Sequence, residues 1–487
     1  MERRNGKAEE RMAAGMRGMT PERMAQACGG VYTGPAEAAK KEITGAVLDS
    51  RKVEAGYLFI ATRGERVDGH SFIDSTYEKG ALCVLGEEPP KDMERPYIQV
   101  EDSFAALKAI AAYYRSCLDV KVVGITGSVG KTSTKEFIAS VLAQKYRVLK
   151  TEGNFNNEVG LPLTVLRLRE EHQIAVLEMG ISDFGEMHRL SQIAQPDICV
   201  ITNIGQCHLE KLGDRAGILR AKSEIFDFMK ADGTVIVQGD DDMLATVKEV
   251  KGKAPVRFGK GETNQVRADG IVNRGLFGSE ALIHTGCGDF QAQIPPPGEH
   301  MILNALAATA VGLELKLSLE QIQSGIEKAQ AVGGRSNIKR LKKLTVIDDC
   351  YNANPVSMKA ALELLCTAEG HKTAILGDMF ELGENEVSLH EEIGAYAVEK
   401  GIDRICLVGS LGRHMYEKAV KTAASPEVQQ TGEGQQNSRK ESVIEYYATR
   451  EELLEELKKH PLQQTTALVK ASHGMGFDAV VKLLEEL

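Results

Sequence analysis

Gly127-Ser128-Val129-Gly130-Lys131-Thr132-Ser133 holds, in one run, the residue types that grip a phosphate chain. Backbone N–H groups of a glycine-rich turn, with the positive end of a following helix, can cradle phosphate oxygens. A lysine adds a mobile charge, and a hydroxyl can bind magnesium. Lys131 and Thr132 supply those two groups. The common spacing GxxxxGK[ST] is not met, because position 125 is Ile and the first glycine lies only three residues before Gly130; the loop is a shorter one, GxxGKTS. The alternative is a Gly-Lys turn without function. Against it, Lys121 to Thr126 reads as a buried parallel strand and Thr132 to Gln144 has helical apolar spacing, so strand, loop and helix fall where phosphate binding needs them. An ATP-binding enzyme is the first expectation.

Four further features carry usable chemistry, each with a plain alternative. Thr151 to Pro162 concentrates Asn154, Asn156 and Asn157 with two glycines, a composition that also serves ordinary turns. Glu178, at the end of a strand in Glu178-Met179-Gly180, could reach a magnesium ion held by nucleotide phosphates, or cap a helix. His208 follows a strand in Thr202-Asn203-Ile204-Gly205-Gln206-Cys207-His208-Leu209; a lone histidine is usually structural. Lys222, in Ala221-Lys222-Ser223-Glu224-Ile225-Phe226, would ordinarily be a solvated helix lysine.

The elements that position these residues need more than one core. At 487 residues, 43% of them hydrophobic and 26% charged, the chain is expected to form two or three α/β domains. The formal charge of −10 argues against a nucleic-acid or membrane-surface binder, which needs a cationic face. Nine scattered cysteines without a CxxC pair suggest neither a disulfide framework nor a zinc site, so a reducing cytoplasm fits. Residues 1–30 lack the apolar segment of a signal peptide, and no stretch reaches the roughly 20 apolar residues of a membrane helix. Short apolar runs between Ile43 and Glu87 suggest a small α/β domain closed by a helix over Ser103 to Ser116. Strands at Lys121 to Thr126, Ile174 to Leu177, Ile198 to Thr202 and Thr234 to Val237 alternate with helices, as in a mainly parallel sheet. Pro295-Pro296-Pro297-Gly298 breaks the pattern before an alanine-rich helix from Met301 to Leu313. Strands at Leu344 to Ile347, Thr373 to Leu376, Arg404 to Val408 and Thr466 to Val469 form a second doubly wound sheet, and Ala424 to Glu441 reads as a polar surface loop. The expected domains are 1–118, 119–334 and 335–487.

Taken in order, GSVGKTS, GNFNNEVGLP, EMG, TNIGQCHLEKLG and AKSEIF resemble the ATP-dependent Mur ligase family of peptidoglycan synthesis, over about Asp49 to Asp478. Asp348 to Pro355 and Leu376 to Gly383 look like the member that adds D-alanyl-D-alanine, and Asp49 to Val53 with Asp68 to Phe72 are similar to that family's UDP-sugar domain. The resemblance implies three units: a small α/β UDP-sugar domain, a central P-loop parallel-sheet ATPase domain and a C-terminal Rossmann-like domain. It implies amide formation from UDP-N-acetylmuramoyl-tripeptide and D-Ala-D-Ala through an acyl phosphate, with ATP and two magnesium ions, in a monomeric enzyme of the bacterial cytoplasm.

It also distributes roles. Lys131 and the loop Gly127 to Ser133 would hold the phosphates, Thr132 and Glu178 the first magnesium, His208 and Lys222 the second, with Lys222 carbamylated by CO2. Asn304 would meet the adenine side with His300 one turn away, Arg335 the γ-phosphate and Asp349 the ribose. Ser50 and Arg51 would take the UDP end, and Asn154, Asn157, Tyr351, Asn352 and Asn354 other substrate groups. Ala471 and His473 depart from the family's pattern, in which Gly and Arg stand in the matching Lys-Gly-Ser-Arg-x-Met stretch. Another Mur-type or folylpolyglutamate-type ligase, or a P-loop switch protein, is the competing reading; no NKxD guanine signature is present.

Overall fold

The computed structural model describes residues 15–64, 67–90, 92–331, 333–425 and 442–487. Three sheets follow one another along the chain. The first is five-stranded, in the order 31–33, 97–99, 83–86, 57–60, 45–47, and is parallel except for its antiparallel first strand. The N-terminal residues read from sequence only as charged and Met-rich contribute to its core: Met16, Met19 and Met24 are buried, and Thr20 caps the helix Pro21–Cys28.

The nine-stranded central sheet runs 288–294, 279–285, 266–273, 256–259, 234–238, 198–201, 121–126, 174–178, 148–150. The expected parallel strands are present and centred on Lys121–Thr126. Beyond them two antiparallel hairpin pairings join 266–273, 279–285 and 288–294, an extension the sequence reading did not contain. Adjacent residues of the parallel strands feed opposite cores. Val122, Leu177 and Cys199 enter one, Val123, Val176 and Val200 the other. That is why these strands read as continuous apolar runs rather than alternating ones. The helix His300–Glu314 is buried nearly all round, which its alanines permit, and packs on the helix Lys131–Leu142.

The helix Ser103–Ser116 was expected to close the small domain. It does more, packing on Pro21–Cys28 and also on Gly160–Val165 and Glu186–Ala194. Its buried Arg115 donates to the carbonyl of Ala194 (3.0 Å) and pairs with Asp197 (3.3 Å), so it bolts the first two sheets together through one apolar cluster. The third sheet, in the order 337–340, 345–348, 465–470, 371–376, 404–408, 443–447, is parallel except for its first strand and again feeds two cores. Of the expected polar loop, Ala424 and Ser425 end the helix Gly412–Ala423, and the rest lies outside the described residues.

Candidate active site

The strand Lys121–Thr126 is an interior strand of the central sheet's parallel part, and the loop that follows it faces the crevice above the strand ends. Gly127 takes φ +151° and lies against Thr202; a β-carbon there would run into Thr202 Oγ1. Gly130, at φ +80°, starts the helix Lys131–Leu142 in the left-handed region that glycine enters without strain. The loop between them is shaped by the end of the adjacent strand: Asn203 accepts from Val129 N (3.0 Å) and donates to Val129 O (2.9 Å), while Thr202 Oγ1 donates to Val129 O (2.7 Å). Thr202 and Asn203 therefore brace the phosphate loop. Lys131 Nζ curls back onto the Gly127 carbonyl (2.8 Å), and burial, with Arg335 nearby, holds its pKa below the usual lysine range.

Glu178, 1% exposed, is the hub of the second group. Thr132 Oγ1 lies 2.9 and 2.8 Å from its two oxygens, Asn156 Nδ2 donates at 2.9 Å, and Lys135 Nζ stands 3.6 Å away. A buried carboxylate persists only with such partners. The donor set is hard oxygen, a hydroxyl and a carboxylate beside a phosphate loop, and fits magnesium rather than a softer ion. Of the asparagines expected here, Asn154 is exposed, and Asn157 Oδ1 accepts from Val159 N (3.2 Å) and Gly160 N (2.8 Å), opening the helix Gly160–Val165. Asn156, between them, is the one that reaches Glu178.

His208 and Lys222 follow from the neighbouring strand. His208 sits at φ +52°, and its Nδ1 is 3.0 Å from Glu381 Oε2, which arrives from the third sheet. Burial, then the Lys222 and Lys131 cations, press its pKa down against the pull of Glu381. Lys222 is not a solvated helix lysine: it is 1% exposed, without an ion-pair partner among the described residues, and burial followed by Lys131 pushes its pKa down to about 7.

From the other side the third sheet brings a positive wall. Arg335 stacks over the Tyr351 ring at 4.0 Å, and Tyr351 tilts on His473 at 5.4 Å. Asp349 accepts from Ser336 N (2.8 Å) and from the buried Lys470 Nζ (2.6 Å), which also donates to the Asn352 carbonyl (2.9 Å). Asn304 is 5% exposed and accepts from Thr134 Oγ1 (2.8 Å), whereas His300, at the start of the same helix, is open to solvent. Asn354 caps the helix Pro355–Cys366 in a reciprocal pair with Ser357. One cavity of about 850 Å³ is lined by Ser128 to Lys131, Ser133, Asn157, Glu178 and His208 on one side, by His300 and Asn304, and by Arg335, Asp349, Tyr351, Asn352, Asn354, Glu381 and Lys470 on the other. Ser50 and Arg51 do not line it; the Arg51 guanidinium pairs with Asp49 instead (2.9 Å).

Three family descriptions match the chain in order: "Mur ligase family, catalytic domain" over residues 42–115, "Mur ligase middle domain" over 125–312, and "Mur ligase, glutamate ligase domain" over 334–473. A Bacillus subtilis protein named UDP-N-acetylmuramoyl-tripeptide–D-alanyl-D-alanine ligase is 38% identical, over 91% of this chain and 93% of its own length. The chain belongs to the Mur ligase family. An Escherichia coli relative of the same name is 33% identical over 94% of this chain and 97% of its own. Among solved structures, MurF from Acinetobacter baumannii superposes with a TM-score of 0.84 at 34% identity, covering 96% of this chain and 99% of that one. MurF from Thermotoga maritima in complex with ADP gives 0.74 at 29% identity, covering 91% and 97%.

Within this Mur ligase, the residues that sequence reasoning did not single out are the supporting ones. Asn156 and Lys135 hold Glu178, Thr202 and Asn203 shape the loop, Lys470 fixes Asp349, and Glu381 meets His208. Lys135 carried a readable signal, since it follows Lys131 by one helical turn and so shares its face. Glu381 carried only its place in Leu376 to Gly383, a stretch picked out by resemblance and by no rule of spacing.

Proposed function

We propose that this chain is an ATP-dependent amide ligase that joins D-alanyl-D-alanine to UDP-N-acetylmuramoyl-tripeptide, with release of ADP and phosphate, in the cytoplasm of a bacterium. The names of its full-length relatives and its family membership support that substrate pair. The observation that carries the chemistry is the single cavity in which the phosphate loop and Glu178 face Arg335, Asp349 and Lys470. A carboxylate does not give an amide in water, because its oxygen is a poor leaving group; phosphorylation by ATP supplies a good one as an acyl phosphate. Both phosphoryl transfer and the amine's attack crowd negative charge, and the cations Lys131 and Arg335 face the space where it develops.

Thr132 and Glu178 would hold one magnesium ion, and His208 with Lys222 a second. Bound there, the metal neutralises phosphate charge and polarises the phosphoryl oxygens. An ammonium cannot ligate a cation, so we assign Lys222 to carbamylation by CO2, which needs a neutral amine. A pKa near 7 in a buried site supports that supply. Asp349 is assigned to the ribose, Asn304 and His300 to the adenine side, and Asn157, Tyr351 and Asn352 to the peptide substrates. The units are taken as 1–118, 119–334 and 335–487. Ser50 and Arg51 remain our assignment for the UDP end, in a part of the first unit outside this cavity.

The test is phosphate release from ATP with and without the UDP-tripeptide and D-Ala-D-Ala. Release that requires both substrates is expected; release indifferent to them refutes the ligase reading. Incubation with ¹³C-bicarbonate should give a carbamate carbon resonance that is missing in K222M.

A further inference from the structure

The cavity is lined by five carboxylates, Glu158, Glu178, Glu186, Asp349 and Glu381, and four of them are already engaged. Glu158 is paired with Arg189 (3.0 Å at its second oxygen) and Lys108 (3.4 Å). Glu178 is held by Thr132, Asn156 and Lys135. Glu186 accepts the backbone N–H groups of Ser182 (2.7 Å) and Asp183 (3.3 Å). Asp349 is fixed by Ser336 N and Lys470. Of the five, Glu381 alone has, among the described residues, neither a guanidinium or ammonium nor a backbone N–H as partner; its one partner is the His208 imidazole, which carries no permanent charge.

Its backbone is arranged to present it. Met379 N donates to His390 Nε2 (2.9 Å) and Phe380 N to Ser472 Oγ (2.9 Å), so the chain is pinned up to the residue before it. Glu381 then takes φ +62°, a left-handed conformation that a residue other than glycine adopts at a cost on the order of 1 kcal/mol. Its side chain is 67% exposed and lines the cavity rather than packing. That backbone leaves the carboxylate lining the cavity, free to meet a ligand there.

Resting on the proposed amide ligase reading, we infer that Glu381 is the binding residue for the ammonium of the incoming acceptor amine, carried by the third unit to the mouth of the site beside His208. An α-amino group has an ordinary pKa near 8 and arrives largely protonated at neutral pH, so it needs an anion that no lysine or arginine side chain has already paired. The other cavity carboxylates do not meet that need. Glu381 does, and it lies across from the phosphate loop, where the activated carboxyl must stand. It acts in binding, ahead of the bond-forming step.

The experiment compares wild type with E381Q, which keeps shape and removes charge, and E381D, which keeps charge on a shorter arm. KM is measured for D-Ala-D-Ala, ATP and the UDP-tripeptide, and inhibition is measured with D-lactoyl-D-alanine, in which a hydroxyl replaces the ammonium. In E381Q the KM for D-Ala-D-Ala should rise about tenfold to hundredfold, the factor of one charge-assisted hydrogen bond. The other two KM values and the inhibition constant of the hydroxyl analogue should stay within about twofold, and E381D should recover part of the loss. An unchanged KM for D-Ala-D-Ala, or an equal loss for dipeptide and analogue, overturns the assignment while leaving the ligase reading standing. A wild-type enzyme indifferent to D-Ala-D-Ala overturns both.

Discussion

Replacing Lys222 by Met should stabilise the protein and abolish its activity. The side chain is buried, and its pKa is pushed from 10.5 down to about 7, first by loss of hydration and then by Lys131. In the unfolded chain the amine holds its proton up to about 10.5; in the folded chain it releases it near 7. Between those values the unfolded state binds more protons, so stability rises with pH by up to about 1.4 kcal/mol per unit. Below about pH 7 both states are protonated and the whole penalty falls on the folded one. From 10.5 to about 7 that is on the order of 5 kcal/mol, and at pH 9 about 2 kcal/mol remain. Methionine has similar length and no charge to desolvate, so K222M should escape the penalty. For a unit of 150–250 residues each kcal/mol moves the melting midpoint about 2–4 °C. In CO2-free buffer K222M should therefore melt roughly 10–20 °C above wild type at pH 6.5, with the gap narrowing to about 4–8 °C at pH 9. Bicarbonate should raise the wild-type midpoint and leave the variant alone, because only the amine can be carbamylated. A variant that melts below wild type at pH 6.5, or a gap that does not shrink with pH, would show that Lys222 is solvated or paired in the folded chain and would remove the basis for the carbamate.

Three further outcomes follow from the cavity. In G127A a methyl group meets Thr202 Oγ1, which braces Val129, so ATP affinity measured by calorimetric titration should fall by at least about tenfold; retained affinity would mean that the loop does not hold the phosphates. E178Q keeps the size of the hub but removes its charge, and the magnesium concentration for half-maximal nucleotide binding should rise about tenfold or more, while an unchanged value would move the metal elsewhere. R335A removes the guanidinium stacked on Tyr351; in single-turnover experiments the rate of acyl-phosphate formation should drop about a hundredfold with ATP affinity changed less than about threefold, and a loss confined to ATP affinity would contradict the γ-phosphate role.

The phosphate loop was legible because its chemistry is local: strand, turn and helix lie next to one another in the chain, and apolar spacing marks both flanks. Glu178 was legible for a related reason, since a carboxylate ending a buried strand has only the sheet's crevice to face. Legibility fell where a role depends on which way one residue of a loop points. Asn154, Asn156 and Asn157 look alike in sequence, and only the turn decides that Asn157 opens a helix, Asn154 meets solvent and Asn156 reaches Glu178. The central sheet's antiparallel extension was missed although its residues alternate, because the reading followed the continuous apolar runs of parallel strands, and half-exposed hairpins give a weaker signal.

Lys222 and Glu381 mark the further limit. Nothing in the composition or spacing around Lys222 distinguishes a solvated lysine from a buried one, and only the resemblance of AKSEIF singled it out; its chemistry comes from the helix face it occupies and from Lys131, delivered by a different strand. Glu381 is harder still, for it lies in a different sheet from His208, and its place depends on a left-handed backbone that sequence rules reserve for glycine and asparagine. Both are residues whose local context predicts something ordinary. A ligase that must hold an anhydride away from water until an amine arrives needs such groups where the central and third sheets meet, because there one cavity can take its two kinds of residue from two different elements.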